Sequence, residues 1–260
     1  MKKNYLKKNP FIDIIMPNFN KGKYLNEAIN SVLNQSYKNW KLYIIDDFSN
    51  DNSSDILKKI KKMKKINIFQ LKKNKGPSYC RNLGIKFSKS KYIAFLDSDD
   101  IWFKDKLKLQ LSYMIKNDYK FTFSDYTPIL YKGNVKKRLK ETKIENFFNY
   151  DKFLRNSSIN TSTIILERKY LKKVKFKSTK LMEDYVFKCD LMRKTKIPFM
   201  KFSKSLAIYR IIKDSRSSNK ISNLFNLWLI NKKYNKLSFF SNLQSIFFIS
   251  FNSLKKYGFK

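Results

Sequence analysis

Four short apolar runs punctuate the first part of the chain: Phe11-Ile12-Asp13-Ile14-Ile15, Trp40-Lys41-Leu42-Tyr43-Ile44-Ile45, Ile66-Asn67-Ile68-Phe69 and Tyr92-Ile93-Ala94-Phe95-Leu96. β-Branched and aromatic residues dominate them and turn-forming residues follow each, which predicts strands. Between them the apolar period changes. Tyr24, Leu25, Ala28, Ile29, Val32 and Leu33 recur at helical spacing, as do Ile56, Leu57, Ile60 and Met63, and later Leu107, Leu111, Met114 and Ile115. Strands alternating with helices predict an α/β fold, a mostly parallel sheet flanked by crossover helices. In such a sheet, functional loops gather at the carboxyl ends of the strands.

After Lys120 the pattern loosens. It predicts a strand at Phe121-Thr122-Phe123, a turn at Lys132-Gly133-Asn134, a strand over residues 162–166, a helix over 183–193 and an extended run over 199–209. Residues 10–220 thus form one folded unit with halves at 10–120 and 121–220, preceded by a basic extension, 1–9. The segment 221–260 is different: Leu224, Phe225, Leu227, Trp228 and Leu229, then Phe239, Phe240, Ile246, Phe247, Phe248, Ile249 and Phe251, are interleaved with Lys and Asn. This amphipathic pattern suits helices lying in a lipid interface or helices completing the core. No stretch reaches the ~18 uninterrupted apolar residues that span a bilayer, and the N-terminal apolar run is too short for a secretion signal.

Composition narrows the chemistry. The 260 residues contain no His and two Cys, so Ser-His-Asp and Cys-His couples, His-ligated zinc and a disulfide framework are excluded. Proton transfer must fall to carboxylates, Lys, Tyr or Cys, and a metal site must be built from oxygens. A reducing, cytoplasmic location is expected. The 57 basic against 20 acidic residues give a net charge of +37, but only 7 of the basic residues are Arg, the residue favoured for bidentate reading of bases and phosphates. Charge therefore argues less for nucleic acid than for peripheral contact with an anionic membrane, worth ~1 kcal/mol per well-placed basic residue.

Acidic residues cluster where strands end. Asp97-Ser98-Asp99-Asp100 follows the fourth strand, placing three carboxylates in four residues. Such crowding is costly without a positive partner; Mg²⁺ or Mn²⁺, which favour carboxylate, water and phosphate oxygens, is one natural counter-charge, and an Asp-rich helix cap is the alternative. Asp46-Asp47 follows the second strand and Met16-Pro17-Asn18-Phe19-Asn20-Lys21 the first; these read as a nucleoside cradle or as turn chemistry.

Taken in order, Met16-Pro17-Asn18-Phe19-Asn20, then residues 31–40 (SVLNQSYKNW), Ile45-Asp46-Asp47-Phe48-Ser49, Gly76-Pro77-Ser78-Tyr79-Cys80-Arg81-Asn82 and Asp97-Ser98-Asp99-Asp100 resemble glycosyltransferase family 2, which has the GT-A fold. The resemblance continues through Met182-Glu183-Asp184-Tyr185, Ile208-Tyr209-Arg210 and Ser215-Arg216-Ser217-Ser218-Asn219-Lys220, and is similar to the subgroup that includes teichuronic-acid-type and other surface-polysaccharide transferases. It implies a nucleotide-sugar donor, a glycan or lipid-linked acceptor, and inversion at the anomeric carbon. Carried over, it implies that Pro17, Asn18 and Asn20 shape the nucleotide pocket, Asp47 contacts the base, and Arg81 and Asp97 lie near the sugar-nucleotide. Asp99 and Asp100 would serve the metal and diphosphate, and Asp184 would be the catalytic base. Many relatives carry a metal-binding His two residues after the Tyr-Arg pair; here Ile212 stands there. A sugar nucleotidyltransferase is the rival enzyme, though the first strand lacks a Gly-rich phosphate loop, and a basic membrane- or nucleic-acid-binding module is the rival non-enzyme.

Overall fold

The computed structural model describes residues 9–132, 135–138, 145–212 and 220–257. Residues 1–8 of the extension 1–9, Gly133-Asn134 of the expected turn and residues 215–219 of the motif that ends at Lys220 lie outside the described residues. In chain order the elements are β1 (Ile12–Asn18), α1 (Gly22–Leu33), β2 (Trp40–Asp46), α2 (Ser53–Ile60), β3 (Ile66–Gln70), α3 (Pro77–Phe87), β4 (Tyr92–Phe95), β5 (Ile101–Trp102), α4 (Lys106–Lys116) and β6 (Phe121–Lys132). There follow β7 (Val135–Arg138), β8 (Phe147–Phe148), α5 (Tyr150–Arg155), β9 (Ile165–Glu167), α6 (Glu183–Thr195), β10 (Phe199–Ile212), α7 (Lys220–Ile230) and α8 (Phe239–Tyr257).

The strands form one sheet in the order β3-β2-β1-β4-β9-β6-β10-β5, with β7 on β6 and β8 on β10. β3, β2, β1 and β4 run parallel, as the alternating pattern predicts. β9 is antiparallel to both β4 and β6, so the sheet is parallel in its first half and mixed beyond it. The register aligns Asn18 with Asp46 and Ile15 with Phe95, which brings the carboxyl ends of β1, β2 and β4 to one edge.

The core is the sheet's apolar interior. Ile12, Ile14, Ile15, Ile44, Ile45 and Phe95 are fully buried, the near-continuous apolar runs that a sheet covered on both faces requires. Helix α3 lies close against β1 and β2 because Gly84 has no side chain there: a Cβ would come within 2.5 Å of Ile15 Cγ2. Asp13, the polar interruption of the first run, is buried and accepts hydrogen bonds from Lys89 N (2.7 Å), Ser90 N (2.8 Å) and Ser90 Oγ (2.8 Å), fastening the α3–β4 turn.

The strand expected over 162–166 is divided. Thr161–Thr163 form a 3₁₀ turn capped by Asn160, whose Oδ1 accepts from Ser162 N at 2.7 Å, and only Ile165–Glu167 are extended. Ser162 is held out of the ladder by hydrogen bonds to the acidic loop after β4, described below.

One face of the tail completes the core, as one of its two expected readings has it. Leu227 and Ile230 of α7 are buried in the core. Between the helices, Asn231–Asn235 widen into a π turn, and Asn231 accepts from Tyr185 Oη (3.0 Å) and donates to Asn242 Oδ1 and Ser245 Oγ (3.0 Å each). Ser245 in turn donates to Leu154 O at 2.6 Å, tying α8 to α5. Phe225, Phe239, Phe240, Phe247 and Phe251 remain exposed on the outer face. Among the described residues no helix is long and apolar enough to cross a membrane.

Candidate active site

A cleft of about 710 Å³ opens at the carboxyl edge of β1, β2 and β4, closed on its other side by the start of α6, the 3₁₀ turn and the end of β10. Pro17, Asn18, Asn20, Asp47, Arg81, Asp97, Asp99 and Asp184 all line it. The order of strands in the sheet explains much of this convergence: the ends of β1, β2 and β4 share one edge and bring Asn18, Asn20, Asp47, Asp97 and Asp99 together, while Arg81 comes from α3 and Asp184 from the start of α6.

The loops after β1 and β2 are cross-braced. Asn18 Nδ2 donates to Asp46 Oδ1 (2.7 Å) and to Ser49 Oγ (3.2 Å), leaving Asn18 Oδ1 buried at the cleft wall without a hydrogen-bond partner among the described residues. Asn20, in the left-handed region at φ 50°, receives Asn50 N on its Oδ1 at 2.9 Å, while its own N–H reaches Ser49 Oγ at 3.0 Å. Asp47 accepts from Lys75 N and Gly76 N at 2.7 Å each. Its carboxylate therefore fixes the loop entering α3 and keeps further lone pairs beyond those two bonds. Gly76 adopts φ 82°, a conformation that favours glycine, and Pro77 opens the helix behind it.

The acidic loop after β4 separates into distinct roles. Arg81 Nη2 donates to Asp97 Oδ1 at 2.6 Å, and Nη1 lies 3.6 Å from Glu183 Oε1. Lys21 Nζ lies 2.7 Å from Asp99 Oδ2. The Asp97 and Asp99 side chains remain partly accessible, at 31% and 22%. Asp100 is the correction to the expected metal set. It does not line the cleft: it is buried, accepting from Ser162 Oγ at 2.5 Å and from Arg210 N at 3.1 Å. Burial, with Asp99 and Asp97 nearby, raises its pKa well above the ordinary carboxylate value. Ser162 Oγ also accepts from Asp97 N at 3.0 Å, so Asp100 and Ser162 set the shape of the loop from behind.

These residues pass a chemical test for a divalent cation. The accessible donors, Asp97 and Asp99, are hard oxygens, and the two cations now facing them show that this position needs positive charge. Among the described residues no group of three ligating side chains converges. A bound Mg²⁺ or Mn²⁺ would take its remaining ligands from diphosphate and water, as such ions commonly do. Ile212, in place of the expected His, lines the same cleft and adds no ligand.

Asp184 opens α6 beside Glu183, after Met182 in a left-handed conformation at φ 61°. Its Oδ2 accepts from Lys188 Nζ at 2.7 Å and from Thr161 Oγ1 at 3.3 Å. Lys188 is buried and also donates to Ile159 O at 2.6 Å, which orients it. Enclosure pushes the Asp184 pKa up, but Lys188, its hydrogen bond and Arg81 outweigh it and bring the group down to about 2. Of the two acids, Asp184 has the accessible side chain (39%) and Glu183 the covered one (7%). Cys80 lines the cleft as well, yet burial and Asp47 push its thiol up to about 12, which removes it as a nucleophile.

Sequence reasoning missed Lys21, Lys188, Asn160 and Thr161. One lysine carries no signal in a chain with 57 basic residues, and the 3₁₀ turn has no motif. The i,i+4 spacing of Asp184 and Lys188 was the available clue.

The family model for Glycosyl transferase family 2 matches residues 13–189, a span that holds every cleft residue proposed from the sequence. The chain belongs to glycosyltransferase family 2. Across 95% of its length it is 29% identical to the putative teichuronic acid biosynthesis glycosyltransferase TuaG of Bacillus subtilis, covering 97% of that protein. It is 33% identical over 84% of its length to the Escherichia coli UDP-Glc:alpha-D-GlcNAc-diphosphoundecaprenol beta-1,3-glucosyltransferase WfgD, of which it covers 83%. Among solved structures, residues 1–349 of Staphylococcus aureus TarS in complex with UDP-GlcNAc superpose with a TM-score of 0.70 at 19% identity, over 94% of this chain and 72% of that one. This glycosyltransferase therefore has the GT-A architecture expected of it, with the tail helices as an addition to the mixed sheet.

Proposed function

We propose that this glycosyltransferase moves a sugar from a nucleoside-diphosphate-sugar to a hydroxyl of a glycan or lipid-linked acceptor in cell-surface polysaccharide synthesis. The observation that carries the reading is the placement of an accessible, ionised Asp184 in the same cleft as the Asp97–Asp99 loop and the braced loops after β1 and β2. The activities for which WfgD and TuaG are named and the UDP-GlcNAc bound to TarS support the substrate classes.

The nucleoside would lie against Pro17, Asn18, Asn20 and Asp47, with Asn18 Oδ1 an acceptor still to be satisfied. Arg81, Lys21 and Arg210 supply positive charge around the diphosphate. The acceptor oxygen attacks the anomeric carbon, the bond from that carbon to the diphosphate oxygen breaks, and the acceptor proton passes to Asp184. Nucleoside diphosphate leaves on the face opposite the attack, so configuration inverts. Asp99 and Asp97 would hold Mn²⁺ or Mg²⁺, which when bound neutralises charge on the departing diphosphate. Lys188 holds Asp184 in place, and general-base catalysis of this kind contributes ~10²–10⁴-fold. The absence of a Gly-rich phosphate loop after β1 speaks against nucleotidyl transfer.

The exposed phenylalanines of α7 and α8, on a chain of net charge +37, support peripheral binding to the anionic inner face of the cytoplasmic membrane. The test is a panel of nucleotide-sugars titrated with and without Mn²⁺, followed by nucleoside diphosphate release. At least one donor is expected to bind and turn over, with Asp184→Asn binding it while losing most of the rate. Binding of no donor in Mn²⁺ overturns the assignment. Liposome flotation tests the membrane reading separately: association should fall with salt, and indifference to anionic lipid at low salt refutes it.

A further inference from the structure

A second groove, about 440 Å³, adjoins the cleft and shares Asn160, Met182, Tyr209 and Asn223 with it. Met182 immediately precedes Glu183 and Asp184, so the groove begins beside the proposed base. Its far wall comes from the tail: Leu224 and Leu227 of α7, Ile249 and Leu254 of α8. Among the described residues its polar lining consists of Ser, Asn and Tyr, and no Lys, Arg, Asp or Glu lines it, in a chain of which 30% is charged. The adjoining cleft, by contrast, is lined by Lys21, Arg81 and Arg210 and by five carboxylates, those of Asp47, Asp97, Asp99, Glu183 and Asp184.

A charged ligand would leave its charge uncompensated in such a groove, and a fully polar one would leave the tail leucines wet. We propose that the groove is an acceptor subsite for an amphiphile: a sugar whose hydroxyl reaches Asp184, with an uncharged, apolar chain running along α7 and α8. This rests on the transferase reading above. It gives the tail helices a part in substrate binding distinct from any contact of their outer face with lipid. The outer phenylalanines point elsewhere in function, because Phe240, the most exposed of them, does not line the groove.

The experiment titrates full-length protein, in the presence of the donor nucleotide, with hexyl, octyl and decyl β-glucosides below their micelle concentrations. Affinity should rise about three- to tenfold for every two methylenes, short of full hydrocarbon transfer because the groove is open on one side. Leu224→Glu and Ser253→Trp, two accessible lining positions, should each abolish that chain-length dependence, whereas Phe240→Glu should preserve it. Nucleotide binding by the same proteins reports whether the cleft is intact and guards against misfolding of either variant. A wild-type affinity indifferent to chain length overturns the inference. So does chain-length dependence that survives both groove variants, or that Phe240→Glu removes. If donor binds and chain length has no effect, the groove inference alone fails; if no donor binds while the chain-length effect and its loss in the variants stand, the transferase reading fails and an amphiphile site remains.

Discussion

Replacing Lys188 with Met tests how the proposed base, Asp184, is prepared. The ammonium lies 2.7 Å from Asp184 Oδ2 and is oriented by Ile159 O, so its removal leaves the carboxylate in place while withdrawing its main counter-charge. With Lys188 present Asp184 is held at about 2; without it, enclosure in the cleft is opposed chiefly by Arg81, and the value should rise past the ordinary 3.8. The gap between about 2 and 3.8 corresponds to about 2.4 kcal/mol at ~1.36 kcal/mol per pH unit. Solvent screening of a side chain 39% exposed reduces this to roughly 1 kcal/mol. A lowered carboxylate pKa stabilises the fold above the unfolded value, and that contribution is lost as pH falls from about 4 through about 2. Lys188→Met should therefore cost stability at pH 7 and progressively less toward pH 2. The decisive assay is the pH profile of nucleoside diphosphate release. Wild type should be flat down to about pH 4, whereas Lys188→Met should show a new acid limb between about pH 4 and 6, and Lys188→Arg should restore most of the wild-type profile. A Lys188→Met enzyme that is slower at every pH with an unmoved acid limb would refute the reasoning and leave Lys188 a purely structural residue.

Four further outcomes follow from the geometry. Asp99→Asn should weaken Mn²⁺ binding about tenfold or more, and Lys21→Met should strengthen it by freeing the Asp99 carboxylate, both read by the electron paramagnetic resonance of free Mn²⁺; equal affinities in all three proteins would remove Asp99 from the proposed metal site. Asp100→Ala should lower stability by about 1–3 kcal/mol in urea melts, because Ser162 Oγ and Arg210 N lose a buried acceptor, while Mn²⁺ affinity stays near wild type. Lys106 is buried over Trp102 and bonded to Gln110 Oε1, and burial pulls it down to about 7 from 10.5, so its charge opposes folding fully below pH 7 and is relieved as pH rises toward 10.5. Lys106→Met should stabilise more at pH 6 than at pH 10, and a gain independent of pH would show that the lysine is not strained by burial. Gly84→Ala should destabilise by about 1–2 kcal/mol, overpacking against Ile15 exceeding the gain in helix propensity; a more stable variant would mean that α3 has room to shift.

The alternation of strand and helix periods was enough to determine the parallel half of the sheet. Each of those runs is local, and a strand buried on both faces must be apolar wherever it occurs. The same logic placed Asn18, Asp47, Asp97 and Asp99 at strand ends, and the sheet's register then brought them to one cleft. Three things depended on partners distant in sequence. Asp100 reads like its neighbours in Asp97-Ser98-Asp99-Asp100, yet contacts with Ser162 and Arg210, 62 and 110 residues away, turn it inward. The strand expected over 162–166 yields to a 3₁₀ turn because Asn160 caps it and Ser162 is needed by the acidic loop. The tail's amphipathic pattern showed that one face would be covered, but not by what. Only the network joining Tyr185, Asn231 and Ser245 settles which face packs on the sheet-bearing unit and which phenylalanines stay outside, since a hydrophobic period fixes a face and tertiary contacts choose its partner.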